Sequence, residues 1–365
     1  MKITGIELDA VHVNHRGDWV FVHVLTDEGI RGIGEMRSGN NYAAQLAALR
    51  DLGESAKGCD PRRIEAFVSR YTSTERTKAE LFALSAFEQA LWDILGKSLN
   101  VPVHALLGGA CRDEIRLYAN INRATTDRSP EGFAKNAAAA VAEGFDAVKL
   151  DPFDGVRGAD NARDAAKGIA CMQAVREVIG PEVDLLVDCH SKFTVRGAIE
   201  VADALRDVNL FWFEQPTPES SLDNCLAVKE GCGLTIAGGE QRGLRRDWVE
   251  VVENLSMDIP MPDVTVVGGI GELKKIGDML HAWGLPTAPH GPFGPVVIAA
   301  GVHAMASLPG FLILEYGWGE IPWRKDLTIP GEEIVNGRIR INDRPGLGVE
   351  LNPEMVEKHR VRIDE

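Results

Sequence analysis

The 365-residue chain is 45% hydrophobic and 25% charged, which excludes a disordered or fibrous protein and leaves enough apolar material for a substantial core. Its 54 acidic residues against 39 Lys and Arg give a net charge of −15, a surface that repels phosphate backbones and anionic lipid. Nucleic acid and membrane are therefore not expected as partners, and aromatics at 6% leave little for a base-stacking surface.

The first ten residues carry Lys2, Glu7 and Asp9 and no apolar run, so no secretory signal is read there and a cytoplasmic location is expected. Residues 2–13 and 19–26 alternate as strands, and Thr26-Asp27-Glu28-Gly29 turns into a third strand ending near Glu35. A polar loop, 14–18, joins the first two. Helical patterns follow near 40–53, 61–71 and 79–97, the last placing Leu81, Leu84, Leu91, Ile94 and Leu95 largely on one face.

From about residue 115 the texture becomes short β-branched runs alternating with helical patterns. Strands are expected at 115–119, 147–149, 183–187, 210–213, 234–237, 257–259, 285–288 and 311–314. Helices are expected at 158–179, 194–206, 219–229, 242–255, 270–283 and 294–306. Eight such units fit a parallel barrel with its loops at one end, an open doubly wound sheet being the competitor. The uncharged stretch 279–314 holds five prolines and reads as buried loop and strand rather than a membrane helix. The six cysteines form no CxxC pair and read as reduced, small buried hydrophobes.

Asp188, Glu214, Glu240, Asp263, His290 and Glu315 each fall at or just past an expected strand end, separated by 26, 26, 23, 27 and 25 residues. In a barrel, successive strand ends open into one mouth, so these groups would converge; in an open sheet they would string along an edge. For any one acid a surface loop or helix cap is the better reading. Three in register (Asp188, Glu214, Glu240) instead make a hard oxygen site that favours Mg²⁺ over Zn²⁺. Lys149 and Asp151 straddle Leu150, and Asp188 and His190 straddle Cys189, so each pair is expected to share a strand face, with His190 beside the metal. His290 sits in a stiff loop of prolines and glycines, with Asp263 placed to hold its tautomer. The other histidines read as structural or surface, His15 excepted for its place in the N-terminal loop. The glycines of 266–271 fail the dinucleotide fingerprint, because its third glycine would fall at Lys274.

In this order, Ala90–Lys97 with Pro102–Gly109, Glu214-Gln215-Pro216, Gly238-Gly239-Glu240, Pro262-Asp263 with Gly268-Gly269-Ile270, and Ala288-Pro289-His290 with Gly294-Pro295 resemble the enolase superfamily. The resemblance is to its mandelate racemase-like branch and covers essentially the whole chain. Asp188-Cys189-His190 resembles the Asp-x-His of acid-sugar dehydratases of the D-galactonate dehydratase type.

The resemblance implies an α/β fold: a modified (β/α)7β TIM-type barrel over 115–335, an α+β capping domain over 1–114, and a 336–365 tail that completes the cap. It implies one Mg²⁺ per subunit on Asp188, Glu214 and Glu240, a base at His290 with Asp263, a general acid at His190, and substrate contacts from Lys149 and Glu315. Cap loops, with His15, Arg16 and Trp19 and the segment near 37–42, are expected to choose the substrate, and a homo-oligomer is expected. The racemases' Lys-x-Lys appears here as Lys149-Leu150-Asp151, so their second lysine is absent. The implied reaction is dehydration of a sugar acid, an aldonate or a close relative, to a 2-keto-3-deoxy acid. Epimerisation or cycloisomerisation on the same fold is one rival; a noncatalytic homologue is the other, opposed by the intact residue set.

Overall fold

The computed structural model describes residues 1–15, 17–38 and 42–363. Three antiparallel strands, β1 (Ile3–Asn14), β2 (Gly17–Thr26) and β3 (Arg31–Met36), open the chain in sequential order. Three helices cover them: α1 (Tyr42–Ala56), α2 (Ile64–Tyr71) and α3 (Lys78–Leu99). α3 starts at a reciprocal capping box, the Thr77 side chain accepting from the Glu80 backbone while the Glu80 carboxylate accepts from the Thr77 backbone. A single turn, α4 (Val103–Leu106), leads to the barrel.

The barrel strands are β4 (Glu114–Asn120), β5 (Ala147–Leu150), β6 (Asp184–Asp188), β7 (Leu210–Glu214), β8 (Ile236–Gly238), β9 (Ile259–Pro260) and β10 (Leu314–Gly317). β4 to β9 pair in parallel in chain order, and β10 closes the ring on β4. The expected strand 285–288 shrinks to a bridge: Thr287 pairs with Phe311, and the Ala288 N–H donates to the Pro260 carbonyl. Pro286 and Pro289 lack the N–H groups a longer ladder needs. Seven helices connect the eight strand positions: α5 (Pro130–Ala142), α6 (Ala166–Ile179), α7 (Val195–Ala204), α8 (Leu222–Cys232), α9 (Val249–Asn254), α10 (Ile270–Ala282) and α11 (Pro295–Ala306). This is a (β/α)7β barrel carrying an N-terminal α+β cap. α11 is buried along its whole length, so the uncharged 279–314 stretch holds a core helix as well as loop and strand. No helix among the described residues is long and apolar enough to cross a membrane.

After β10 the chain forms β11 (Thr328–Ile329), β12 (Ile334–Val335), β13 (Arg338–Arg340), β14 (Glu350–Leu351) and α12 (Pro353–His359). β13 runs antiparallel to the start of β4. Further on, Gly346 exchanges backbone bonds with Val101 and Val103, and the Val361 N–H donates to Ala10 of the cap sheet.

Four cysteines are buried as expected, Cys59 is half-buried, and Cys111 is exposed, its loop position leaving the thiol outside the core.

The barrel interior has a legible layering. Tyr118, Ala147, Leu186, Trp212, Met261, Ala288 and Ile313 pack together as an apolar plug inside the strands. Side chains alternate along a strand, so the residue two positions on points inward one layer higher. Those residues are Asn120, Lys149, Asp188, Glu214, Asp263, His290 and Glu315, all buried. The apolar plug thus ends where the polar mouth begins.

Candidate active site

Asp188 and Glu214 close β6 and β7 and lie opposite each other in the ladder. Glu240 follows two residues past β8, and all three carboxylates are buried. Burial and the neighbouring Asp188 push the Glu214 carboxyl upward. Each acid faces a cationic partner: Asp188 lies 3.1 Å from His190 Nε2, Glu214 lies 3.0 Å from Lys149 Nζ, and Glu240 lies 2.9 Å from His290 Nε2. Among the described residues, no three acids, histidines or cysteines already surround one point as a metal-ligand set.

The two histidines each have a carboxylate of their own. His290 Nδ1 is 2.7 Å from Asp263 Oδ2, while Asp263 Oδ1 accepts from the Thr265 backbone and hydroxyl, each at 2.7 Å. An ionised carboxylate only accepts, so Nδ1 carries the proton and Nε2 is turned to the mouth. His190 Nδ1 is 2.7 Å from Asp151 Oδ2, and Lys192 Nζ is 2.6 Å from the other Asp151 oxygen. In barrel order, Asp151–His190 lies at β5 and β6 and Asp263–His290 at β9 and the seventh strand position. The carboxylates on β6, β7 and β8 lie along the arc that joins them.

His190 is not on the strand face it was expected to share with Asp188. β6 ends at Asp188, and His190 and Ser191 are left-handed, with φ of 47° and 59°. The turn still brings the ring to Asp188 and aims its second nitrogen at Asp151. Asp188, then Asp151, outweigh burial and raise the His190 imidazole to about 9, so it carries a proton at neutral pH. For His290, burial lowers the pKa, but Glu240, Glu315 and Asp263 outweigh it and bring it to about 10.

Lys149 is fully buried between Glu214 and Glu315, 2.7 Å from Glu315 Oε1. Glu315 also accepts from Asn120 Nδ2 and the Gly291 N–H. Burial alone would raise its pKa; Lys149 and His290 reverse that and hold it near 2. His15 is exposed at the β1–β2 turn, and no hydrogen bond among the described residues links it to this cluster. Arg16 lies outside the described residues.

Residues 39–41 of the expected cap segment lie outside the described residues. The cap reaches the mouth through Arg37 of that segment and through two carboxylates that the sequence reading did not single out. Arg37, just past β3, lies 3.5 Å from Asp263 and 3.8 Å from Glu240. Glu35 on β3 is buried and accepts the N–H groups of Gly294, Val296 and Val297 at 2.6, 3.1 and 3.0 Å, capping α11 from another domain. Glu88 of α3 does the same for α10, accepting from Ile270 and Gly271 at 2.6 and 2.8 Å. A Cβ on Gly269 would sit 2.0 Å from Glu88, and one on Gly294 would sit 2.5 Å from Glu35. These glycines admit the cap's carboxylates, which is the use of the segment that imitates a dinucleotide loop. The capped helices follow the loops carrying Asp263 and His290.

Glu35→Ala is expected to strand three buried donors, each at a cost of about 1–3 kcal/mol where no water replaces the carboxylate. Thermal unfolding should show a lowered midpoint and steady-state kinetics a fall in kcat, because the loop before α11 holds His290. An unchanged midpoint would mean these donors find another partner.

Comparisons with known proteins agree with this architecture. Residues 6–108 match the mandelate racemase/muconate lactonizing enzyme N-terminal domain, and residues 132–355 match the enolase C-terminal domain-like family. The chain is 31% identical to a D-xylonate dehydratase of Haloferax volcanii, over 99% of this chain and 89% of that protein. It is also 31% identical to a D-galactarolactone cycloisomerase of Agrobacterium fabrum, over 94% of this chain and 91% of the other. A solved mandelate racemase/muconate lactonizing enzyme from Jannaschia sp. CCS1 superposes with a TM-score of 0.92 at 31% identity, covering 100% of this chain and 99% of that one. Matched across both domains and nearly end to end, the chain belongs to the mandelate racemase-like branch of the enolase superfamily.

Proposed function

We propose that this chain dehydrates a sugar acid, taking the proton α to the carboxylate, expelling the β-hydroxyl as water and releasing a 2-keto-3-deoxy acid. The observation that carries the reading is the pair of separate His–Asp dyads at the ends of one carboxylate arc. Dehydration needs a base at one carbon and an acid at the next, and the arrangement supplies one imidazole for each. The name of the Haloferax relative points the same way. A cycloisomerase, as the Agrobacterium relative is named, keeps the proton abstraction but forms no keto-deoxy acid.

Asp188, Glu214 and Glu240 are the residues that would hold a magnesium ion. They fit it: all three are buried oxygen donors, and with Asp151, Asp263 and Glu315 these six acids still outnumber the five cations around them, Lys149, Lys192, Arg37, His190 and His290. When bound, the cation would stabilise the negative charge that develops on the substrate carboxylate as the α-proton leaves.

The chain's own residues do the rest. Asp263 keeps the Nδ1 proton of His290. With Glu240 drawn away to hold the cation, the pairing that raises the ring to about 10 would be lost. Nε2, having given up its own proton, would then be the atom that takes the α-proton. The electron pair of the broken C–H bond moves into the carboxylate, giving an enediolate. Its collapse forms the C2–C3 double bond and breaks the C3–O bond, while His190 Nε2 gives a proton to the departing hydroxyl. Asp151 and Asp188 keep His190 protonated for that step. The enol product then tautomerises to the ketone. Lys149 holds a positive charge on the floor of the mouth beneath the reacting carbons.

The test is product analysis after incubation with a library of aldonates and aldarates. A keto-deoxy acid from at least one aldonate is expected. Recovery of only epimerised or lactone-derived isomers would overturn the dehydratase reading.

A further inference from the structure

A small cavity of about 30 Å³ lies where the cap hairpin meets the barrel loops, lined by Asp18, Trp19, Glu35, Arg123, Phe293 and Glu320 among others. That exceeds the roughly 10–15 Å³ of such space that one water needs, so it has room for a small polar group. It adjoins the reaction centre through Phe293, whose ring meets the His290 ring edge-on at 5.6 Å between centroids. Arg123 follows β4 and Glu320 follows β10, the strands that close the barrel. The cavity is therefore at the mouth, on the side of Glu315.

Two buried polar atoms in its lining have no partner among the described residues, and they are complementary. Trp19 is 4% exposed, and its indole Nε1–H, a donor only, is unpaired. The Glu320 side chain is 1% exposed, and its Oε2, an acceptor, is unpaired. The other Glu320 oxygen accepts from Arg123 at 2.8 Å and from Asn14 at 3.2 Å. Leaving buried polar atoms unpaired is costly, and one of each kind in one lining calls for a group that both accepts and donates.

We propose that this cavity is the subsite for a hydroxyl at the far end of the substrate chain, accepting from Trp19 Nε1–H and donating to Glu320 Oε2, so that the enzyme selects monocarboxylic sugar acids over dicarboxylic ones. The inference rests on the sugar-acid reading and deepens it. A carboxylate in the same place would satisfy only Trp19 and would set its charge against Glu320, with Asp18 and Glu35 also in the lining and Arg123 already paired. A site built to hydrogen-bond a hydroxyl rejects the analogue lacking it much more strongly than an apolar pocket rejects a missing methylene.

The test compares, for the Mg²⁺-loaded enzyme, the aldonate that binds best, its terminal-deoxy analogue and the corresponding aldarate, by calorimetric binding and by kcat/KM. Wild type is expected to favour the aldonate by roughly 10²-fold or more over both. Trp19→Phe and Glu320→Gln should each raise KM for the aldonate by about tenfold or more with a smaller change in kcat. Glu320→Gln should also narrow the aldonate-to-aldarate ratio, because an amide can donate to a carboxylate. An aldarate or deoxy analogue bound within threefold of the aldonate by wild type would overturn the proposal without reference to any variant. If the aldonate is bound selectively but no keto-deoxy acid forms, the dehydratase reading fails while the subsite stands.

Discussion

Replacing His290 with Asn is expected to end exchange of the substrate α-proton with solvent deuterium and, with it, all product formation. The ring is held from one side by Asp263 at 2.7 Å and is buried against Phe293, so its place among neighbours is fixed and Asn preserves the packing more closely than Ala would. Loss of a general base costs ~10²–10⁴-fold. The upper part of that range is expected, because Lys149, the first alternative base, is held protonated between Glu214 and Glu315. Proton NMR in D₂O reads the exchange directly. Exchange at the wild-type rate in the variant would move the base to Lys149.

Glu240→Gln, Glu214→Gln and Asp188→Asn are expected to be as damaging. Each removes a third of the buried oxygen set, and stabilisation of several kcal/mol for the developing carboxylate charge corresponds to roughly 10³-fold or more in rate. Metal titration by calorimetry should show weaker Mg²⁺ binding in each variant, with the far-ultraviolet circular dichroism of the wild type retained. Exhaustive EDTA treatment should silence the wild type, and Mg²⁺ should restore it. Full activity after chelation would remove these residues from the role.

Much of this site is legible in the sequence because the barrel repeats. A polar residue two positions beyond the apolar plug on successive strands recurs once per βα unit, and the spacing of Asp188, Glu214, Glu240, Asp263, His290 and Glu315 records that repeat. Deviations have local causes. Glu240 lies one residue beyond the two-residue step, past the left-handed Gly239 at φ 102°. His190 is reached through a left-handed turn, which strand alternation cannot describe. α5 escapes notice because Pro130–Ala142 is so rich in alanine that its faces barely differ, although Ser129 and Pro130 mark its start. Asp151 looked like a lost lysine; its meaning lies in a bond to His190, 39 residues away. Arg123 and Glu320 are 197 residues apart, and no local pattern joins them. Glu35 and Glu88 are likewise invisible as caps, though the glycines opposite them, Gly294 and Gly269, are the sequence trace of their approach.

The division of labour between the two dyads is the centre of the account, and His190→Asn tests it most directly. The variant should be incubated with substrate in D₂O, with α-proton exchange and keto-acid release followed in the same sample. If His190 delivers its proton only after His290 has taken one, exchange persists while release of the keto-deoxy acid falls by ~10²–10⁴-fold. Exchange and release lost to the same extent would contradict the account and make His190 a base or a group that only positions the substrate.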